Sequence, residues 1–530
     1  MKSIGLLVLI CLGFAGRFPD SASAAVRLPH VFGDGMVLQR DKPIPVWGWA
    51  EPGEKVTVRF AGQEKSGVAA ADGRWMLKLS PLPAADTPRT LSVSGADTQL
   101  LRKDVLVGDV WLCSGDFGVY YELFASANAA VEIANSDYPS MRLLKVVSAT
   151  GNAPLQDIQG QWMRSSPTTA NSFSALAYFF GRALHRELKV PIGLIDCSYR
   201  YSYLRSWIAP EGFRIIPELK EARDKMDSWD STTEVGRQSF ADAIKQVEDW
   251  LPQAEEAFRQ GKALPLQPVM PAPITGREEF YQTIGELSSA YNGMVAPLIP
   301  FAIRGVVWSQ GENGAEAETR HAHMQGLIGG WRKLWGQGDF PFYCELLPKI
   351  GAPSDTPCPP DHWTIIREGQ MKSLSIPNTG VAVTFDVSDY VSDERNRQDA
   401  GQRLALWALA KEYQQKIVYS GPLFRSQRVE ADKIVISFDH VGGGLIVGEK
   451  SGLAPSQEVK AGVLRHFAVA GADKVWHWGQ ARIVGETVVV RSDEVPNPVA
   501  VRYAWCANPQ AANLYNRNGL PAAPFRTDDW

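Results

Sequence analysis

Between residues 105 and 113 the chain reads Val-Leu-Val-Gly-Asp-Val-Trp-Leu-Cys, almost unbroken in apolar side chains. A run of this kind, without polar alternation, is expected of a strand covered on both faces, as in a parallel sheet. Similar runs recur at 191–196, 303–309, 340–347 and 379–386, with helical patterns between them at 174–188 and 323–334. Strand alternating with helix predicts a parallel sheet joined by right-handed crossovers. The ligand site of such a sheet lies beyond the carboxyl ends of its strands.

On either side the pattern changes. Residues 44–49, 55–60, 75–79 and 90–93 are short alternating runs, punctuated by Glu51-Pro52-Gly53, Asp72-Gly73 and a Pro-rich stretch around 81–88. They predict a small β-sandwich over 25–103. Alternation returns at 433–438, 487–491 and 500–506, predicting a β-rich unit over 417–530. The α/β unit then occupies 104–416. It is interrupted at about 208–290 by a charged stretch, helical at 235–260 and Pro-rich at 265–273, which reads as an inserted lid or flank. No internal repeat is evident.

Length supports this division, since 530 residues are too many for one core. Residues 1–24 have the form of a secretory signal, with Lys2, an apolar run from Ile4 to Phe14 and Ala22-Ser23-Ala24 before Ala25. That predicts a secreted or periplasmic protein. The apolar run is too short to span a bilayer, and no later stretch reaches about 18 apolar residues, so no transmembrane segment is expected. Without Lys2, Arg17 and Asp20 the formal charge moves from −4 to about −5. No basic stripe is left to suit a nucleic acid. Five cysteines remain beyond Cys11, with no CxxC pair, so no metal site is expected, nor any other cofactor. An odd number leaves at least one free thiol, and Cys113 and Cys197 sit on apolar runs as small hydrophobes. The 17 tryptophans suit either core packing or sugar stacking.

Four segments carry a resemblance to a known family. They are Gly108-Asp109-Val110-Trp111-Leu112-Cys113-Ser114-Gly115; Tyr291-Asn292-Gly293-Met294-Val295-Ala296-Pro297-Leu298 with Ile303-Arg304-Gly305-Val306-Val307-Trp308; the stretch from Trp331-Arg332-Lys333-Leu334-Trp335 to Phe340-Pro341-Phe342; and the ending Asn513-Leu514-Tyr515-Asn516 to Asp528-Asp529-Trp530. In this order they resemble the sialate O-acetylesterases. The resemblance implies an α/β fold, with a flavodoxin-like SGNH-hydrolase three-layer central domain and flanking N- and C-terminal β-rich domains. It also implies removal of acetyl groups from sugar hydroxyls by serine, histidine and aspartate, with an oxyanion hole of backbone amides, a glycine and an asparagine.

At each of those stations the chain departs from the family pattern. The nucleophile loop, Gly-Gln-Ser-Asn-Met in the family, reads Gly115-Asp116-Phe117-Gly118-Val119. A phenyl ring cannot attack a carbonyl. The family's Ser-Trp-Gly-Gly-Thr becomes Ser198-Tyr199-Arg200-Tyr201-Ser202, placing Arg200 and Tyr201 at oxyanion positions. Its Gln-Gly-Glu-Ser-Asn-Ala becomes Gln310-Gly311-Glu312-Asn313-Gly314-Ala315, with Gly314 in place of the asparagine. Val391 and Asp393 stand where aspartate and histidine belong, and no histidine lies between His362 and His440.

Other groups are candidates for relocated chemistry. Ser114, Ser202 and Ser392 read as structural hydroxyls, and Cys113 as a nucleophile needs a depressed pKa and a base. His321 and His323 open a helix, and His362 is a weaker candidate of the same kind. Asp116, Glu312 and Asp393 come from three converging loops, an arrangement open to carboxylate chemistry on a glycoside or to a hard cation. Tyr121, Tyr199, Arg200, Tyr201, Trp308 and Gln310 are expected near one rim, where they either stack a sugar or fill the emptied pocket. The leading reading is an inactive relative that binds acetylated or sialic-acid-containing glycans. A working hydrolase with relocated residues and a structural extracellular protein remain as alternatives.

Overall fold

The computed structural model describes residues 25–271, 286–311, 317–387 and 396–530. Its central sheet is built from β1 (Gln99–Gly115), β2 (Tyr138–Lys145), β3 (Trp162–Ser165), β4 (Ile192–Ser198), β5 (Gly305–Ser309), β6 (Phe342–Glu345) and β7 (Thr379–Ala382). The spatial order is β7-β6-β5-β1-β4-β2-β3. Every adjacent pair is parallel except β2 with β3. The chain fills one side of β1 with β2 and β4, then crosses to place β5, β6 and β7 on the other. The order therefore reverses at β1, and its carboxyl end is the topological switch point where open α/β sheets bind ligands. Gly115 there pairs with Ser198 of β4 and with Ser309 of β5, so three strands end level with one another.

Two helical layers cover the sheet. On one face lie α2 (Ala175–Leu188) and α9 (Arg397–Lys411), burying Trp111, Cys113, Val307 and Tyr343. On the other α7 (Arg320–Trp335) buries Leu112, Val306, Trp308 and Phe342. Strand residues alternate between the two faces, and both alternate sets are apolar, which explains the unbroken hydrophobic runs.

The expected insertion contributes α4 (Pro210–Ile215), α5 (Lys220–Trp229) and α6 (Glu234–Arg259), with α4 packed on α7 and α5 on α6. These helices flank the sheet. Shorter elements near the site are α1 (Phe117–Tyr120) and α3 (Leu204–Trp207), and α8 (His362–Lys372) lies between β6 and β7.

The N-terminal β-unit places Ile44–Trp49 against Arg74–Leu79, beside a sheet formed by Lys55–Phe60, Gln63–Val68, Ala85–Ser94 and the first half of β1. The division placed at residue 104 thus falls inside one continuous strand. C-terminal strands include the antiparallel set Leu423–Glu430, Lys433–Asp439, Thr487–Arg491 and Gln480–Val484. Among the described residues no helix is long and apolar enough to cross a membrane.

Candidate functional site

Gly115 ends β1 with φ +121°, and a Cβ on it would stand 2.1 Å from the Ser309 carbonyl oxygen. Only glycine tolerates both conditions. The chain then turns into α1, whose first residue is Phe117. The turn is pinned by backbone bonds: Asp116 N–H donates to Ser309 O at 2.8 Å, and Tyr120 N–H donates to Asp116 O at 3.0 Å.

Asp116 is buried, and its Oδ1 accepts the Tyr201 N–H at 2.6 Å. That bond ties the loop after β1 to the loop after β4. Asp116 is thus placed as a structural acceptor, shielded from solvent. Tyr201 sits in left-handed backbone at φ +64°, which costs a non-glycine residue about 1–2 kcal/mol. Tyr201 is 40% exposed and Tyr120 is 39% exposed. The Arg200 guanidinium lies over both, 4.6 Å from the Tyr201 centroid and 6.0 Å from the Tyr120 centroid. Tyr199 is half-buried against the core and donates its N–H to Gly115 O at 2.9 Å. Tyr121 is half-buried, with the Arg397 guanidinium 5.5 Å from its centroid.

Beneath α1 lies a set that the sequence reading missed. Ser309 Oγ donates to Glu345 Oε2 at 2.7 Å, and Arg397 donates to Glu345 Oε1 at 2.9 Å. Arg397 and Glu345 are both almost wholly buried. Gly118 crosses directly above, where a Cβ would stand 1.9 Å from Ser309 Oγ and 2.6 Å from Glu345 Oε2. The space remaining between Gly118, Gln310 and Arg397 is about 10 Å³, room for one water at most. The only sequence signal for this set was Ser309 at the end of one apolar run and Glu345 as a lone carboxylate inside another.

The remaining candidates fall into place by burial. Trp308 is fully buried between Trp207 and Trp331, with centroids 5.8 and 5.9 Å away, so it faces the core instead of a rim. Gln310 is buried and donates to Ser202 O at 2.8 Å, while Ser202 Oγ accepts the Trp207 indole N–H at 2.8 Å. Ser114 is fully buried, and Cys113 is buried with its thiol pushed well above the usual range by burial and then by Asp196. Neither has a route to a substrate. His323 shares a hydrogen bond with Thr319 O at 3.0 Å, and His321 is lowered first by burial and then by Lys372. His362 is the first residue of α8. Glu312, Gly314, Val391, Ser392 and Asp393 lie outside the described residues.

A larger cleft of about 690 Å³ opens where the central unit meets the C-terminal β-unit, lined by Asp386, Asn396, Lys450, Arg465, Asn513 and Tyr515. Its volume is in the range of small-ligand sites.

This chain is 27% identical to the sialate O-acetylesterase of Mus musculus, over 99% of its own length and 98% of that protein. It is 25% identical to the sialate O-acetylesterase of Homo sapiens, over 98% and 95%. Among solved structures, a carbohydrate acetylesterase from Xanthomonas citri superimposes with a TM-score of 0.77 at 30% identity, over 95% of this chain and all of that one. The chain belongs to the sialate O-acetylesterase family. No protein-family model matches it.

Within this sialate O-acetylesterase relative, the motif residues that carried the resemblance are architectural. Asp109 is fully buried and accepts from Gln39 at 3.1 Å, from Arg40 at 2.9 and 3.0 Å, from Arg304 at 2.9 Å and from Tyr413 at 3.0 Å. Trp111 packs between Phe180 and Tyr343. Among the described residues, the departures from the family pattern at Phe117, Arg200 and Tyr201 fall at the switch point, in the loops after β1 and β4.

Proposed function

We propose that this chain is an exported, catalytically silent member of its family that recognises acetylated glycans at the carboxyl end of the central sheet. The observation that carries the reading is Phe117, the residue that leaves β1 where the family pattern has its serine. Support comes from the surroundings. The neighbouring serine and thiol are buried, Asp116 and Glu345 are committed to hydrogen bonds, and the space under α1 is that of a single water. The strand order, with its reversal at β1, supports the SGNH arrangement of the central unit. The apolar run within residues 1–24 supports export.

Recognition is assigned to the rim formed by Arg200, Tyr201 and Tyr120. Exposed rings beside a guanidinium offer a stacking face and charge-assisted donors, the combination a sugar acetate or carboxylate requires. Calorimetric titration with acetylated oligosaccharides tests this. Wild type should bind without releasing acetate, and Arg200→Ala should weaken binding by about 1.5–3 kcal/mol. Binding lost in Arg465→Ala but intact in Arg200→Ala would move the site to the larger cleft. Failure of every glycan to bind would favour the structural alternative.

A further inference from the structure

Away from the switch point, two cysteines meet across the junction between the central unit and the C-terminal β-unit. Cys358 is half-buried in the loop between β6 and α8, and Cys506 is buried just after the strand Ala500–Tyr503. They lie near enough that Cys358 adds to burial in raising the Cys506 thiol.

The backbones that hold them are fixed to one another. Ile350 N–H donates to Ala507 O at 3.1 Å, and the Asn508 side-chain amide donates to Gly351 O at 2.5 Å. The buried Arg367 guanidinium bridges the two segments, donating to Leu347 O at 2.9 Å on one side and to Cys506 O at 2.8 Å and Ala507 O at 3.0 Å on the other. The Trp478 indole N–H donates to Asp355 O at 2.7 Å. His466 stands beside them, its Nδ1 3.9 Å from Cys506 Sγ. Burial, and then Arg465, lower this imidazole to about 4, so it is neutral at neutral pH and places no charge beside the thiols.

We infer that Cys358 and Cys506 form a disulfide that staples the central unit to the C-terminal β-unit, made by exchange with an external small-molecule disulfide. The half-buried Cys358 meets the donor first. Its thiolate attacks one donor sulfur, breaking the donor S–S bond, releasing one donor thiolate and leaving a mixed disulfide. The Cys506 proton then passes to the released donor thiolate, and Cys506 Sγ attacks Cys358 Sγ, releasing the second donor thiolate. Two cysteines are oxidised by two electrons, the donor is reduced to two thiols, and the two cysteine protons end on those thiols. Cys113, Cys197 and Cys344 are each buried within the central unit, apart from this junction, and remain thiols.

The test is to incubate the purified protein with oxidised glutathione, alkylate in denaturant and map the peptides by mass spectrometry. The expected result is a cross-linked pair joining Cys358 to Cys506, with Cys113, Cys197 and Cys344 alkylated. Reductant should then lower the urea midpoint of wild type and leave that of Cys358→Ser unchanged. Alkylation of all five residues, a lasting glutathione adduct on Cys358 without the cross-link, or a cross-link between other cysteines would overturn the inference.

Discussion

Tyr201 shows how far a single residue could be read from sequence. Its bulk at a position where the family has glycine was plain, but its left-handed backbone and the Asp116 bond holding it there were not. Those depend on two loops that are 85 residues apart along the chain. Trp308 is the opposite case. An aromatic near a strand end was expected at the rim, yet its position in the pleat turns it into the core between two other tryptophans. Asp196 on β4 is a third residue whose state only packing reveals. It is buried, and burial raises its carboxyl from 3.8 to about 6, with the Ser198 hydroxyl and Lys145 opposing only in part. A raised acid binds its proton more tightly in the folded state, so folding loses stability as pH climbs from about 4 through about 6. Above that range the penalty is complete, on the order of 3 kcal/mol. Asp196→Asn keeps an acceptor for Ser198 and removes the charge. Its urea midpoint should exceed that of wild type at pH 8, and the difference should vanish near pH 4. An equal difference at both pH values would mean that Asp196 is not the group titrating.

Among the elements, the buried strands announced themselves because both faces are apolar. Gln63–Val68 was missed because it is a largely exposed strand with a polar sequence, and Tyr138–Lys145 because Pro139, Ser140 and Arg142 break its apolar run. Arg142 is nonetheless buried in the fold, donating to Asp104 at 3.0 Å. The length of β1 was also hidden: its outer half alternates and its inner half does not, so one strand reads as two. At the site, α1 lies tightly on Ser309 and Glu345, and Gly118 is the point of contact. Gly118→Ala should push the turn off the Ser309–Glu345–Arg397 set and cost about 1–3 kcal/mol, as overpacking does. Denaturant unfolding checks this. A midpoint equal to that of wild type would show that the turn yields freely.

Across the whole molecule, Asp109 connects three parts of the chain. Arg40 belongs to the N-terminal unit, Arg304 precedes β5, and Tyr413 follows α9. Burial alone would raise this carboxyl, but the Arg40 hydrogen bond and the Arg304 and Arg40 charges outweigh it and hold it below the usual value. Its contribution is therefore present above the ordinary carboxylate range and is lost as pH falls through the depressed value. Asp109→Asn leaves two arginines without their counter-charge and should cost about 3–5 kcal/mol at pH 7. A loss under about 1 kcal/mol would remove Asp109 from this role.

The architecture of the molecule was legible from its hydrophobic runs, and its family from four motifs. The packing under α1 was not, because Ser309, Glu345 and Arg397 come from three separate elements. Acetate release from an activated acetyl ester by the purified protein, beside Ser114→Ala, Cys113→Ala and Phe117→Ser variants, tests the central claim most directly. The account predicts that none of the four exceeds a heat-denatured control, since losing a catalytic triad costs on the order of 10⁶-fold in turnover and a serine at 117 alone still lacks its base. Turnover by the wild type that disappears in Ser114→Ala or Cys113→Ala, or robust turnover by Phe117→Ser alone, would contradict it.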